Sequence, residues 1–452
     1  MKVLAYAVLS TLLLGVPASA RAGDGIIDLT NLANYASQDV PAYITRNNTT
    51  AGNAITDLGA TLGRVLFYDK RLSRNDTISC ASCHQQAHAF SDTATASTGV
   101  NGTTGRHSMR LINSRFAQEV RFFWDERATT LENQTTQPIR DHAEMGFSGS
   151  EGDPSFSQLL VKLAAIDEYR VLFAMTFGDP AVTEARIQRA LAQFIRSIQS
   201  FDSRFDEGRA QVANVNTAFP NFTPQENTGK QLFLAAPNNG GAGCAGCHRP
   251  GEFDIDPASR NNGVITRIGG GTDLTNTRSP TLRDLVGPGG SSNGPFMHDG
   301  SLTTLAQVID HYNLIPGDND NLDQRLRRPP PAGTQSLGLT QPQKDALVAF
   351  LQTLTGSSVY TDTRWSDPFD EEGRLALIVF PPTQVVIKKS AAANAIVSCQ
   401  AVPGLSYQLQ ASTDLADWNQ VVTTLTADSS GLLQHSVSLT GTRFYRFAYV
   451  VP

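Results

Sequence analysis

Apolar positions fall into two regimes along the chain. From about residue 57 to 356 they recur at helical spacing, and after about 381 they alternate as in strands. LGRVLFYDKRLS (62–73) is predicted helical, with Leu62, Val65, Leu66 and Phe67 on one face. Residues 156–177 and 183–201 are also predicted helical. The latter carries a broad stripe of Ile187, Ala190, Leu191, Phe194, Ile195 and Ile198. A second helical unit opens near Phe222. Thr223 can cap, Pro224 suits the first helical position, and Glu226 puts acid in the first turn. It closes with 339–356, where Leu347, Phe350, Leu351 and Leu354 share a face and Gly356 is a stop. Six short alternating runs then fill 384–451, divided by turn signals such as Pro403-Gly404. The expected fold class is mainly α, followed by a small C-terminal all-β sandwich.

One long apolar run stands apart, at the N-terminus. Lys2 supplies a basic start, 3–16 an apolar stretch, and Ala18-Ser19-Ala20 a cleavage signature. Residues 1–22 therefore read as a signal peptide, and the mature protein as periplasmic or otherwise exported, with no membrane span. The 452 residues allow about three domains. The net charge of −6 leaves no basic footprint and excludes a nucleic-acid partner.

The five cysteines carry the chemistry. Cys80 and Cys83 are followed by His84, and Cys244 and Cys247 by His248. Each C-x-x-C-H is the attachment signal of a c-type haem. The thiols, one turn apart, reach the two vinyl groups, and the histidine reaches the iron. A zinc half-site would need two further ligands. Both copies follow an apolar helix containing Leu-Phe, which makes an internal repeat of about 164 residues. Two covalently bound haems are expected, with His84 and His248 as iron ligands. Cys399 is left over, in an apolar strand, and reads as a small buried hydrophobe.

Further motifs accompany these: FFWDERA (122–128), PIRDHAEMGF (138–147), TRSPTLRD (277–284), GPFMHDGSL (294–302) and HYN (311–313). In this order the chain resembles the bacterial di-haem cytochrome c peroxidases, especially their MauG-like branch, over about 60–356. The resemblance implies two cytochrome c-like domains, an N-terminal peroxidatic one (23–205) and a C-terminal electron-transfer one (206–357). A linker (358–380) and the β-sandwich module (381–452) lie outside it. It also implies hydrogen peroxide as substrate. Electrons would come from a small donor protein, a cytochrome c or cupredoxin, through the C-terminal haem. The family is often dimeric, and no residue here decides the oligomeric state.

By the same resemblance Trp124 is the indole between the haems, Glu144 the distal acid that moves a proton between peroxide oxygens, and Gln134 a distal amide that orients peroxide. Tyr312, 14 residues after His298, occupies the position of the C-terminal haem's sixth ligand. Methionine there favours ferrous iron, whereas a phenolate favours the higher oxidation states. Met297 is read as a packing residue; the alternative to Tyr312 is that it packs on a helix and His311, or nothing, is the ligand. The loop around Val100 and Asn101 lacks the distal histidine of activation-dependent members, so the first haem is expected open at rest. His107 is read as a loop residue, and it replaces an asparagine that in the family helps hold calcium. Asn293 and Pro295 still offer carbonyls for one calcium ion. His88 and His142 read as surface or supporting residues, and His435 falls in the β module. Two other functions stay open: a MauG-like oxidase acting on a protein substrate, which Tyr312 favours, and a non-catalytic di-haem electron carrier.

Overall fold

The computed structural model describes residues 23–118, 121–253, 257–328, 333–378, 383–391, 394–428, 430–438 and 443–449. The expected signal peptide, 1–22, lies outside the described residues. The chain is mainly helical with a C-terminal β region.

A short strand, β1 (Ile26–Asp28), precedes helix α1 (Asp57–Tyr68), and α2 (Cys80–Cys83) is a single turn. Next come α3 (Leu131–Thr135), α4 (Gln137–Arg140), α5 (Phe156–Ala164), α6 (Asp167–Phe177) and α7 (Glu184–Ser197). The expected helix over 156–177 is thus two helices. Ile166 is extended, and Asp167 and Glu168 supply the acids that favour a fresh N-terminus. The second unit holds α8 (Arg204–Ala210), α9 (Pro224–Leu234), α10 (Leu305–Asn313) and α11 (Gln341–Gln352). Thr223 and Glu226 form the capping box of α9, as the sequence suggested.

The repeat is visible in how the helices cross. A Cβ on Gly63 of α1 would meet the Ala190 carbonyl of α7 at 2.1 Å, and one on Gly229 of α9 would meet the Ala346 carbonyl of α11 at 1.8 Å. Each C-x-x-C-H is therefore preceded by a helix whose glycine lets a partner backbone approach closely. The first crossing buries Leu62, Leu66, Phe67, Leu191 and Phe194; the second buries Phe233, Leu347, Phe350 and Leu351.

The segment after α11 departs from the expected linker. Trp365 is 1 % exposed, and Val359, Phe369 and Leu375 join the core of the N-terminal unit. Tyr68 Oη donates to the Trp365 carbonyl at 2.6 Å, and Arg64 Nε to that of Ser366 at 2.6 Å. Strands β2 (Arg327–Arg328) and β3 (Gly333–Thr334) form a small antiparallel pair. Strand β4 (Ala376–Ile378) then pairs in parallel with β1. Polar residues there bind main-chain groups while scattered aromatics enter the core, so no period betrays the burial.

The β region has two antiparallel sheets. One orders β5 (Thr383–Ala391), β6 (Asn394–Gln400) and β9 (Leu432–Ser438) as β5-β6-β9. The other orders β7 (Ser406–Ser412), β8 (Gln420–Thr426) and β10 (Phe444–Tyr449) as β10-β7-β8. Val397, Cys399 and Leu433 of one sheet and Tyr407, Leu409 and Phe447 of the other are buried in one cluster. The turn at Gly404 rests on Pro180, beside the end of α6.

Candidate active site

The turn α2 begins at Ser79, whose hydroxyl caps it reciprocally with Ser82, and it delivers Cys80, Cys83 and then His84. His84 Nδ1 lies 3.1 Å from the Phe90 carbonyl and 3.1 Å from Ser108 Oγ. A carbonyl only accepts, so Nδ1 carries the proton and Nε2 is left with its lone pair. His248 repeats the arrangement, with Nδ1 3.0 Å from the Pro280 carbonyl. Burial pushes both imidazoles down to about 4, which keeps them neutral, as a metal ligand must be. Two thiols and an oriented neutral imidazole at each motif fit a c-type haem.

A cleft of about 470 Å³ adjoins the first motif, lined among others by Cys83, His84, Trp124, Gln134 and Glu144. A smaller apolar recess shares His84, Gln134 and Glu144 and adds Cys80, Met145 and Leu191. A third cavity, of about 90 Å³, is lined by His248, Trp124, Met297, Pro295 and Tyr312. Trp124 is thus common to the cavities of both motifs. It is 8 % exposed, donates from Nε1 to the His107 carbonyl at 2.7 Å, and stands edge-on to His298 at 6.4 Å. Gln134 sits on α3, which a buried pair holds against α7: Arg196 reaches Glu132 at 2.5 Å.

Glu144 is the perturbed carboxyl of the cleft. Burial, reinforced by Asp141, raises it to about 7 against the opposing pull of Arg127. The sequence-expected group of His84, Trp124, Gln134 and Glu144 therefore comes together around one cleft.

Tyr312 lines the same cavity as His248, and burial raises its phenol well above the ordinary value. The neighbouring His311 is engaged elsewhere, with Nε2 2.9 Å from the Asn262 carbonyl. Met297, expected only to pack, also lines this cavity, and Asn262 Nδ2 reaches its sulfur at 3.4 Å. His107 is buried at the meeting of the units. Its Nδ1 lies 3.0 Å from the Ala94 carbonyl, and its N–H donates to the His298 carbonyl at 2.8 Å. His142 binds Asp153 at 2.9 Å.

The carbonyl of Asn293, expected to be free for calcium, already accepts from Arg110 Nη2 at 3.1 Å, while its amide donates to Asp284 and Tyr360. Arg110 and Ser108 were missed by sequence reasoning. Neither stands in a pattern that distinguishes it from a loop residue.

The family described as di-haem cytochrome c peroxidase matches residues 58–213. The chain is 31% identical to the methylamine utilization protein MauG of Methylophilus methylotrophus, over 68% of this chain and 85% of that one. It is 29% identical to the cytochrome c551 peroxidase of Nitrosomonas europaea, over 66% of this chain and 80% of that one. Among solved structures, a MauG-like protein associated with microbial copper homeostasis superposes with a TM-score of 0.59 at 29% identity. That match covers 74% of this chain and 99% of the other. With two attachment motifs, oriented histidines and these relatives, the chain belongs to the di-haem cytochrome c peroxidase family that includes MauG, an oxidoreductase family of the peroxidase type with two c-type haems.

Proposed function

We propose that the protein reduces hydrogen peroxide to water at the cleft beside His84, with electrons entering near His248 and passing by way of Trp124. The observation that carries this reading is Glu144, a carboxyl raised to about 7 in the same cleft as His84. A haem held by Cys80, Cys83 and His84 supplies the redox-active iron. The chain's part is proton handling and orientation. Glu144 in its carboxylate form takes the proton from one peroxide oxygen and returns it to the departing oxygen, which leaves as water. Gln134 donates from its amide to hold peroxide in line. Trp124, shared by both cavities, divides one long electron transfer into two shorter ones.

Glu144→Gln removes the shuttle and keeps the shape. It is expected to lower peroxide turnover by about 10²–10⁴-fold in a steady-state assay with a reduced cytochrome c or cupredoxin as donor. Unchanged turnover would sink the mechanism.

A second reading, oxidation of a protein substrate, is favoured by Tyr312, which lines the cavity of His248. As the sixth iron ligand there, a phenolate would stabilise oxidised states. The working division of the chain is a peroxidatic unit (23–205), an electron-transfer unit (206–357) and a β module (381–452), exported by means of residues 1–22. Among the described residues, no helix is long and apolar enough to cross a membrane.

A further inference from the structure

Arg110 lies where the two helical units meet, and it lines both the cleft of His84 and the cavity of His248. Among the described residues, its side chain's one hydrogen bond runs from Nη2 to the Asn293 carbonyl. Its Nε is sealed from solvent and has no hydrogen-bond partner among the described residues. Among the described residues no carboxylate stands within ion-pair distance of it. Asp284 acts on it only through space: one of its oxygens accepts from Gly356 N–H and Tyr360 Oη, and the other is buried without a hydrogen-bond partner among the described residues. Burial also raises Asp284 towards its neutral form. A guanidinium that no carboxylate pairs with directly is costly once the filled cavities exclude water, so the arrangement suits an anionic partner that arrives with whatever fills them.

Haem is such a partner, because each macrocycle carries two propionate carboxylates. A guanidinium fork matches a carboxylate in two parallel hydrogen bonds. The same fork already holds the carbonyl that sequence reasoning offered to calcium. His107, at the other expected calcium position, turns its Nδ1 to Ala94 instead.

We propose that Arg110 is a built-in cation between the two haems: it binds haem propionate and takes, at the Asn293 carbonyl, the place of a divalent ion, so the enzyme holds its two haem units in register without calcium. The proposal rests on the di-haem reading. A fixed positive charge at the propionates favours electron gain by the iron. Its loss therefore lowers a haem midpoint potential.

The test is a spectroelectrochemical titration of the holoenzyme, with haem content measured separately as the pyridine haemochrome. Wild type, Arg110→Gln and Arg110→Lys are each titrated with and without EGTA, and bound calcium is measured by elemental analysis. Wild type is expected to contain no stoichiometric calcium and to keep both midpoints in EGTA. Arg110→Gln is expected to shift at least one midpoint downward. Arg110→Lys, which keeps the charge, is expected to shift it less. Stoichiometric calcium or an EGTA-dependent midpoint in wild type overturns the proposal, whether or not the variants mature. So do wild-type midpoints in Arg110→Gln, or equal shifts in the two variants. Fewer than two haems per chain in wild type would instead mean that the di-haem reading has failed.

Discussion

Glu144 is held near neutrality because burial and Asp141 both oppose its ionisation. The form that accepts peroxide's first proton is the carboxylate, and its fraction grows as pH rises through about 7. Below that point each pH unit costs roughly tenfold. The kcat/KM for peroxide is therefore expected to climb between about pH 5.5 and 7.5 and then level, while Glu144→Gln gives a low, flat profile over that limb. Stopped-flow mixing of the oxidised enzyme with peroxide across this range checks both. The chemistry of this residue was legible only through its motif, AEMG. Nothing in its local sequence distinguishes a buried glutamate from a solvated one. The attachment residues were legible because covalent haem chemistry fixes their spacing. Arg110 was not, since its meaning depends on two cavities that meet only in three dimensions.

Among the elements, α3 and its anchor show how the cleft is held. Burial alone would raise the Glu132 carboxyl, but Arg196 and Asn53 outweigh it and bring it down to about 2. A folded-state value below the unfolded one stabilises above about pH 4.5, and that stability drains away as pH falls towards 2. After allowance for screening at its outer edge this amounts to about 2 kcal/mol. Glu132→Gln leaves Arg196 buried without its counter-ion and is expected to cost about 3 kcal/mol at pH 7, read from urea unfolding, with a smaller difference near pH 3. The paired glycines give a second test. A methyl group at Gly63 or Gly229 meets a backbone carbonyl rather than a yielding side chain. Gly63→Ala and Gly229→Ala are each expected to cost about 1–3 kcal/mol or more, measured as loss of Tm in the holoprotein. The helices, their caps and the repeat were readable because periodicity and Thr223–Glu226 capping are local signals. The break between α5 and α6 was not, since the apolar stripe runs across Ala165 and Ile166 without interruption.

For the molecule as a whole, residues 358–378 complete the N-terminal unit from the far side of the C-terminal one. Trp365, fully enclosed, donates from Nε1 towards Ser197 Oγ at 3.3 Å, at the end of α7. Trp365→Ala is expected to destabilise by about 3–5 kcal/mol. A chain ended after 378 should keep its haem absorbance and Tm closer to the full protein than one ended after 357, which strips this cover. Parallel thermal melts of the two truncations decide the point.

The pairing of β1 with β4 joins residues 350 positions apart, Ile26 with Ala376. A ribosome makes the first strand long before its partner exists, so the unit begun first is closed only after the second helical unit has been made. Loop closure over such a span is slow although its entropic cost grows only gently with length. During that interval the first C-x-x-C-H lies in a unit still lacking its final cover. Haem can then be attached at Cys80 and Cys83 before the clasp shuts, and the same clasp afterwards resists the chain's fraying from its N-terminal end.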